Sequence, residues 1–326
     1  MPDEKTFQKR ISYQGNLEVL LSKVCQDFNL GEYQSHKTIT IGYEDLNIIV
    51  KTNKDKYLIK ALANFRDNND KQRYLDIMQR VNEAGIAHPK LYKSNQEYLH
   101  TITIDGNKVY LFVMQYIKGE SFYDLEIKPN KEELKFLAKQ AALINKIQIK
   151  PYYIYDDWAV VNFTKEYRKV KKHLKKTDLS LIEPLYKKFL TINLKELPHC
   201  FVHGDLLSSN IMKDERGGLW IIDFSVSNYY PRIQELAVLL CDVSLDKNKK
   251  SRFVDNYNLI LKEYQKEVKL EKKELDLLPI YVKAAHAVSL IGSMKDTVKN
   301  GDSEENQYWL NSGRNGLKFT SKLWTD

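Results

Sequence analysis

The sequence predicts an α+β fold, in which a small antiparallel-sheet N-terminal lobe precedes a larger, mainly helical C-terminal lobe. Two observations carry this prediction. Short segments with strand character are concentrated before residue 118. Beyond it, apolar residues recur mainly at helical spacing, interrupted by one polar loop and its flanking strands. The predicted lobes are therefore residues 1–117 and 118–326.

The N-terminal lobe opens with a helix and continues with strands. Asn16 can cap the helix, and apolar residues at helical spacing continue to Phe28 before Gly31 ends it. A second helix is predicted at 70–84, where Gly85 stops it. Asp105-Gly106 predicts a hairpin turn. The predicted strands are 38–41, 46–51, 57–61, 101–104 and 108–114.

Composition narrows the class of protein. The 326 residues are 43% hydrophobic and 29% charged, as in ordinary globular proteins. The cysteines Cys25, Cys200 and Cys241 form no CxxC pair, which argues against a disulfide framework or a zinc site. The N-terminus lacks a signal-type apolar core, and no apolar run approaches the ~18 residues that span a bilayer. We therefore expect a cytoplasmic protein with no membrane partner.

The formal net charge of +8 raises the question of nucleic acid binding. The basic residues are spread along the chain, and the densest run is 165–176. Within it, Tyr167, Val170 and Leu174 fall at helical spacing, which predicts an amphipathic helix with a solvated basic face. No nucleic-acid-binding motif accompanies the charge, so we expect no nucleic acid partner. The sequence makes no prediction of oligomeric state.

The most informative motif lies in the C-terminal lobe. His203-Gly204-Asp205 is followed by Asn210, and an apolar strand at 219–222 then leads to Asp223. Phosphoryl transfer from ATP needs a carboxylate that orients the acceptor hydroxyl, together with an amide and a carboxylate that hold Mg²⁺. The protein kinase motifs H-R-D-x-x-x-x-N and D-F-G supply the same groups.

These residues resemble the aminoglycoside phosphotransferase family, which includes choline kinase, methylthioribose kinase and type II homoserine kinase. The resemblance covers about residues 38–317 and is strongest at 199–242. It implies a protein-kinase-like two-lobe fold and a small-molecule kinase that uses ATP and Mg²⁺. Asp205 would be the catalytic carboxylate, His203 would brace the loop beside it, and Asn210 and Asp223 would bind the metal.

The resemblance also implies a nucleotide site in the N-terminal lobe. Lys60 occupies the position of the lysine that contacts the phosphates, and Gly42 lies in the loop that would cover them. The backbones of Gln115 and Ile117 are the candidates for contact with adenine. These assignments follow from the position of each residue in the family pattern.

Two departures from the pattern remain open. The family usually places a glutamate on the next helix to pair with the lysine, and here Tyr74 occupies that position. Asp70, Asp76 or no acid takes its place. In addition, Glu235 stands where relatives carry an aspartate that braces the catalytic loop. His286, on an apolar helix, is interpreted as a core or cleft-wall residue.

The acceptor is expected to be the hydroxyl group of a small molecule. The net charge of +8 favours a neutral or anionic acceptor, although local acids would make an acidic pocket. Antibiotic phosphotransferase and nucleotide-binding pseudokinase remain the alternatives. A protein kinase is disfavoured because the chain has no Arg after His203 and no A-P-E after Asp223. The candidate local acids are Asp156, Asp157, Asp242 and Asp246.

Overall fold

The computed structural model describes residues 4–39, 45–245 and 250–324. The chain divides into two compact units. The first comprises Met1–Gly119 with Asp214–Ile222, and the second comprises Glu120–Lys213 with Asp223–Asp326.

The first unit is built on an antiparallel sheet. Strand order is β1-β2-β3-β6-β4, and β5 also pairs with β6. Among the described residues of this unit, three helices accompany the sheet. In chain order, the elements are α1 (Glu4–Gln8), α2 (Leu17–Asp27), β1 (Tyr33–Ile39), β2 (Leu46–Thr52), β3 (Lys56–Ala61), α3 (Asn68–Glu83), β4 (Leu91–Tyr92), β5 (His100–Ile104) and β6 (Asn107–Gln115).

Local sequence explains where several of these elements begin and turn. The Asn16 side chain accepts a hydrogen bond from the Glu18 N–H at 2.8 Å, so the predicted cap of α2 is confirmed. Asp105 and Gly106 both have positive φ, 47° and 77°, which is the geometry of a primed hairpin turn between β5 and β6. The first strand begins earlier than predicted, at Tyr33, and residues 40 and 41 lie outside the described part of the chain.

The core of the first unit lies between α2 and the sheet. Leu17, Leu21 and Val24 of α2 share one buried cluster with Ile48 and Val50 of β2. This packing uses the helical stripe that the sequence predicts for α2. On α3, the ring of Tyr74 meets Phe112 of β6 edge-on, with centroids 5.3 Å apart, which ties this helix to the sheet.

The rest of the chain is mainly helical. The elements that follow β6 form the second unit, except for β10, which belongs to the first. Among their strands, β7 pairs with β9 and β8 pairs with β11. The elements after β6 are β7 (Gly119–Ser121), α4 (Lys131–Asn145), α5 (Phe163–Val170), α6 (Lys176–Leu190), β8 (His199–Val202), β9 (Ile211–Asp214), β10 (Leu219–Ile221), β11 (Asn228–Pro231), α7 (Ile233–Val243), α8 (Lys250–Glu267), α9 (Lys272–Asn300) and α10 (Glu304–Leu323).

The basic run at 165–176 is not the single helix that its spacing predicts. α5 ends at Val170, a 3₁₀ turn occupies Lys171–His173, and α6 begins at Lys176. Tyr167, Val170 and Leu174 are nevertheless buried, so the apolar side of the run was identified correctly. The extended backbone of Leu174 interrupts the helix while still directing its side chain inward.

Helix α9 forms the centre of the second unit. It packs against α5, α6, α7 and α10. By length and composition, Lys272–Asn300 is apolar enough to cross a bilayer, which corrects the expectation that no segment approaches this limit. Within the fold, 78% of its most apolar 18-residue stretch is buried. Its apolar character is therefore used in packing against the neighbouring helices.

Candidate active site

The loop that follows β8 carries the predicted catalytic residues. β8 and β11 are antiparallel, with Val202 opposite Asn228, so the residues just after 202 lie beside those just before 228. Accordingly, the Ser227 hydroxyl donates to the His203 carbonyl at 3.1 Å. Gly204 adopts φ +89°, a left-handed conformation that explains why glycine occupies this position.

His203 is fully buried beneath this loop. Its Nδ1 accepts a hydrogen bond from the Asp205 N–H at 3.2 Å, and its ring centroid lies 4.4 Å from that of Phe224. These contacts hold the backbone of the catalytic loop in place. They are the contacts expected of a bracing residue.

Two acids of α7 hold the same loop at separate points. Glu235 Oε2 accepts from the Gly204 N–H at 3.3 Å, and Asp242 Oδ2 accepts from the Ser208 N–H at 2.5 Å. The predicted bracing contact of Glu235 is thus present. Asp242 also lies 3.5 Å from the Lys128 ammonium. The loop is fixed to α7 on both sides of Asp205.

The side chains of Asp205 and Asn210 are hydrogen-bonded to each other. The Asn210 Nδ2 donates to the Asp205 carboxylate oxygen Oδ2 at 2.7 Å and to the Asp205 carbonyl at 2.9 Å. Because the amide nitrogen is used in this way, the amide oxygen Oδ1 is the atom that Asn210 can offer to a ligand.

Asp223 lies near the start of the segment 222–227 between β10 and β11. Its φ is +62°, in the left-handed region that non-glycine residues seldom adopt. The Ser225 N–H points to its Oδ1 at 3.3 Å. A non-glycine residue held in this conformation is often a functional one, because the strain must be sustained by the surrounding structure.

The carboxylates of the second unit create an electronegative site. Burial, followed by the negative charges of Asp156 and Asp223, raises the pKa of Asp205 to about 7. The charge of Asp242 adds to this effect, and the hydrogen bond from Asn210 opposes it. Asp205 therefore lies within electrostatic range of three other carboxylates, and a cation would relieve their repulsion.

The donor set fits a magnesium ion that completes its coordination from a phosphate ligand. Across the described ranges, no group of three or more His, Cys, Asp or Glu side chains is arranged to hold a metal ion by itself. The predicted pair offers the amide oxygen of Asn210 and the carboxylate of Asp223. Mg²⁺ prefers hard oxygen donors, and it commonly takes only one or two from protein while phosphates and water supply the others.

In the first unit, Lys60 lies on β3 with its side chain buried. Its Nζ donates to the Tyr74 hydroxyl at 2.8 Å and lies 3.5 Å from Asp45 Oδ2. The acid beside Lys60 therefore precedes β2 and does not come from α3. Tyr74, at the position where the family has glutamate, contacts the lysine through a neutral hydroxyl group.

The two alternative acids have other contacts. Asp70 accepts a hydrogen bond from Arg66 at 2.7 Å, and the exposed Asp76 accepts one from Gln72 at 2.8 Å. Arg66 also binds Asp45 through Nε, at 2.9 Å. Burial disfavours ionisation of Asp45, but the charges of Lys60 and Arg66 outweigh it, and its pKa is lowered. This cluster of buried charges is internally compensated.

The other residues predicted at the nucleotide site make fewer informative contacts. Gly42 lies outside the described residues. The backbone N–H of Gln115, at the end of β6, donates to the Lys90 carbonyl at 2.8 Å. Ile117 follows the strand with its side chain buried. Their contact with adenine remains a prediction.

Three features of the site were not predicted from the sequence. Asp45 and Arg66 were not singled out, although the strands that became β2 and β3 were predicted. Asp242 was named only as a possible pocket acid, and its bond to the Ser208 N–H was not foreseen. The signal for Asp242 was its spacing of seven residues from Glu235, two helical turns, which places both acids on one face of α7.

Comparisons with known proteins agree with this geometry. Residues 35–266 match the model of the phosphotransferase enzyme family. The homoserine kinase of Agrobacterium fabrum (strain C58) is 28% identical over 273 residues, 80% of each chain.

Solved structures of small-molecule kinases share the fold. An amicoumacin kinase in complex with AMP-PNP and Ca²⁺ superimposes with a TM-score of 0.66, at 16% identity over 93% of each chain. The choline kinase of Streptococcus pneumoniae gives a TM-score of 0.61, at 14% identity over 94% of this chain and all of that one. The predicted α+β, protein-kinase-like fold class is thus confirmed. With more than half of its length matched by the family model, the chain belongs to the phosphotransferase enzyme family.

Proposed function

We propose that this protein is an ATP- and Mg²⁺-dependent kinase that transfers the γ-phosphate to a hydroxyl group of a small molecule. The observation that carries the proposal is the 2.7 Å hydrogen bond from the Asn210 amide to the Asp205 carboxylate, within electrostatic range of Asp223. The homoserine kinase relative and the amicoumacin kinase, solved with AMP-PNP and Ca²⁺, support the reaction class.

Asp205 would accept the acceptor's proton. The acceptor oxygen forms a bond to the γ-phosphorus, the bond from that phosphorus to the bridging oxygen breaks, and ADP leaves. The hydroxyl proton passes to Asp205. Its raised pKa makes Asp205 a better proton acceptor than an ordinary carboxylate, and Asn210 holds it in orientation. His203, Glu235 and Asp242 keep the loop in position.

Asn210 Oδ1 and the Asp223 carboxylate would hold the metal. When bound, Mg²⁺ neutralises phosphate charge in the transition state. In the first unit, Lys60 would contact the phosphates, and the family pattern assigns Gly42 to the phosphate-covering segment. The carbonyl of Gln115 and the N–H of Ile117 would bind the edge of adenine. We further propose a cytoplasmic location, where ATP is available.

The acceptor is proposed to be a small amino alcohol of the homoserine or choline type. The expectation of a neutral or anionic acceptor rested on the net charge of +8, which salt screens beyond about 8 Å. The carboxylates around Asp205 act over shorter distances and favour a cationic group. Asp157 is paired with Lys295, whereas Asp246 lies outside the described residues.

Coupled ATP turnover against a panel of alcohols tests the proposal. The panel contains L-homoserine, choline, 3-aminopropan-1-ol, methylthioribose and kanamycin, each measured with and without Mg²⁺. We expect Mg²⁺-dependent ADP formation with at least one small amino alcohol. Turnover of kanamycin with matching resistance in cells would favour the antibiotic-kinase alternative, which the likeness to the amicoumacin kinase supports. Nucleotide binding without any turnover would indicate a pseudokinase.

The metal assignment is tested separately with Asp223→Asn. Replacing a charged oxygen ligand by a neutral one should weaken MgATP binding and turnover together, each by roughly tenfold or more. Calorimetric titration of MgATP and of ATP in EDTA provides the measurement. The affinity for metal-free ATP should change little, and an unchanged MgATP affinity and rate would show that Asp223 is not a metal ligand.

A further inference from the structure

A buried histidine in the second unit has a polar atom with no partner. His286 lies on α9 and is 3% exposed, and its Nε2 has no hydrogen bond within the part of the chain that the structure describes. Buried polar groups in folded proteins are nearly always hydrogen-bonded, because leaving one unpaired is unfavourable by about 1–3 kcal/mol. The exception at His286 therefore calls for a physical explanation.

The ring is held in one orientation by helix α10. A Cβ atom placed on Gly316 would lie 2.2 Å from Nδ1 and 2.3 Å from Cε1 of the ring. One placed on Gly313 would lie 2.5 Å from the His286 carbonyl oxygen. The two glycines thus allow the ring to lie directly on the α10 backbone. An unpartnered nitrogen on a fixed ring is a preorganised hydrogen-bonding group.

The surroundings of the ring connect it to the catalytic loop. Burial lowers the pKa of His286 to about 4, with the charge of Asp242 opposing this shift and that of Lys128 adding to it. The ring is therefore neutral at physiological pH and lies within range of both charges. Asp242 also acts on Asp205 and binds the Ser208 N–H, so it is adjacent to both sites.

Two further features lie at the same end of α7. Ser244, two residues after Asp242, is 1% exposed, and its hydroxyl oxygen also has no hydrogen bond among the described residues. Tyr308 is 43% exposed, and partial burial followed by the charge of Asp242 raises its pKa. The Tyr308 ring meets Trp309 and Tyr123 edge-on, with centroids 5.1 and 5.0 Å apart. Aromatic faces and unpaired polar atoms therefore occur together around Asp242.

We propose that His286 is a specificity-determining residue of the acceptor site, where its Nε2 lone pair accepts a hydrogen bond from the ammonium group of the amino alcohol, beside Asp242. This inference rests on the proposed kinase function and goes beyond it by naming the residue that recognises the amino group.

The chemistry around His286 selects a cation. A neutral imidazole nitrogen and a carboxylate are both hydrogen-bond acceptors, and aromatic faces attract cations. An anionic group would be repelled by Asp242. An ammonium already binds this residue, since the Lys128 Nζ donates to the Asp242 carbonyl at 2.7 Å.

The test compares acceptors that differ only in the amino group. Wild-type protein and His286→Phe are assayed with L-homoserine and 4-hydroxybutanoate, and with 3-aminopropan-1-ol and propan-1-ol. Phe retains a ring on Gly316 but offers no lone pair. We expect wild-type kcat/KM to favour the amino acceptor in each pair, and His286→Phe to reduce that preference by at least about tenfold, mainly through KM. His286→Gln, which retains an acceptor atom, should restore part of it.

Tyr281→Phe is the matched control. Tyr281 lies on the same helix and is fully buried, and its hydroxyl group has no hydrogen-bond partner among the described residues, but the charge of Asp242 does not contribute to its pKa shift. Its removal should leave the preference unchanged. A folded His286→Phe protein that discriminates like wild type would overturn the inference, and so would a wild-type preference for the deaminated acceptors.

A direct measurement follows the imidazole nitrogens of wild-type protein labelled with ¹⁵N-histidine. L-homoserine should shift the Nε2 resonance of His286, identified as the signal that is missing from His286→Gln, whereas 4-hydroxybutanoate should not. Homoserine turnover with no such shift would reject His286 while leaving the kinase function intact. Absence of turnover with every acceptor, by contrast, would reject the proposed function itself.

Discussion

The two units contain buried charges of opposite design. In the first, Asp45 lies between Arg66 and Lys60, and these cations hold its pKa low. In the second, burial and neighbouring carboxylates raise the pKa of Asp205 to about 7, and burial raises that of Glu235 to about 8.

The difference shows how a structure can separate stability from function. A buried charge that has its partner within the fold is part of the scaffold, and removing one partner is unfavourable. Buried carboxylates that repel one another instead reduce stability until a cation arrives. Asp45 of the first unit therefore has its cationic partners within the fold, whereas a bound cation would relieve the repulsion among the carboxylates around Asp205 in the second unit.

The largest effect is expected for Asp205→Asn. Turnover should fall by about 10²-fold or more, because the proton acceptor is lost, while nucleotide binding is retained. Removing one of several repelling carboxylates should at the same time raise the melting temperature of the ligand-free protein. Coupled kinetics, nucleotide titration and thermal unfolding measure the three quantities. Near-wild-type kcat would refute the catalytic role, and a lower melting temperature would refute the repulsion.

Asp45→Asn should have the opposite effect on stability. It removes the buried carboxylate that lies between Arg66 and Lys60, which should lower the free energy of unfolding by roughly 3 kcal/mol. Asp27→Asn is the control, since Asp27 pairs with His100 at 2.8 Å in a more exposed position and should change stability by less than about 1 kcal/mol. Equal losses in the two variants, measured by urea unfolding, would remove the distinction between the units.

Glu235→Gln should change how stability depends on pH. The folded-state pKa of Glu235 is about 8, above its ordinary value of 4.5, so the folded protein holds a proton that the unfolded chain releases. Its contribution to stability is therefore complete below pH 4.5 and is lost as pH rises to about 8.

Glutamine cannot ionise and still accepts the Gly204 N–H. The variant should therefore lose roughly 3 kcal/mol less stability than wild type between pH 5 and pH 8. Urea unfolding at several pH values gives both curves. Parallel curves would mean that Glu235 is ionised throughout this range in the folded protein.

The smallest effect is expected for Tyr74→Phe. The variant removes the hydroxyl group that accepts the 2.8 Å hydrogen bond from Lys60, whereas the edge-on contact with Phe112 remains and Asp45 still faces the lysine. We expect a loss of about 1 kcal/mol in stability and less than about fivefold change in the KM for ATP. Lys60→Met provides the upper limit for comparison. If Tyr74→Phe changed the KM for ATP as much as Lys60→Met, the Tyr74 hydroxyl would have the role that the glutamate has in the family pattern.

Motifs with local chemistry were predicted well from the sequence. The cap at Asn16, the turn at Asp105-Gly106 and the order His203, Asp205, Asn210 depend on neighbours a few residues away. Periodicity likewise identified the buried faces of the helices.

Contacts between distant parts of the chain were harder to foresee. The pairing of Lys60 with Asp45 depends on where the chain before β2 turns, and helical alignment pointed instead to Tyr74, Asp70 and Asp76 on α3. The role of Asp242 depends on the packing of α7 against the catalytic loop. Net charge likewise does not describe the local environment of Asp205, because it averages over the whole chain, whereas the carboxylates around Asp205 act at short range.

The apolar character of helix α9 has a consequence for folding during synthesis on the ribosome. A nascent segment as apolar as Lys272–Asn300 resembles the cargo of the membrane-insertion machinery until it is covered. Of the helices that pack against α9, three leave the ribosome before it, namely α5, α6 and α7, and α10 leaves after it. The earlier helices can therefore cover α9 as it emerges from the ribosome. If they are deleted, or fold late, the exposed apolar segment should lead to aggregation during synthesis.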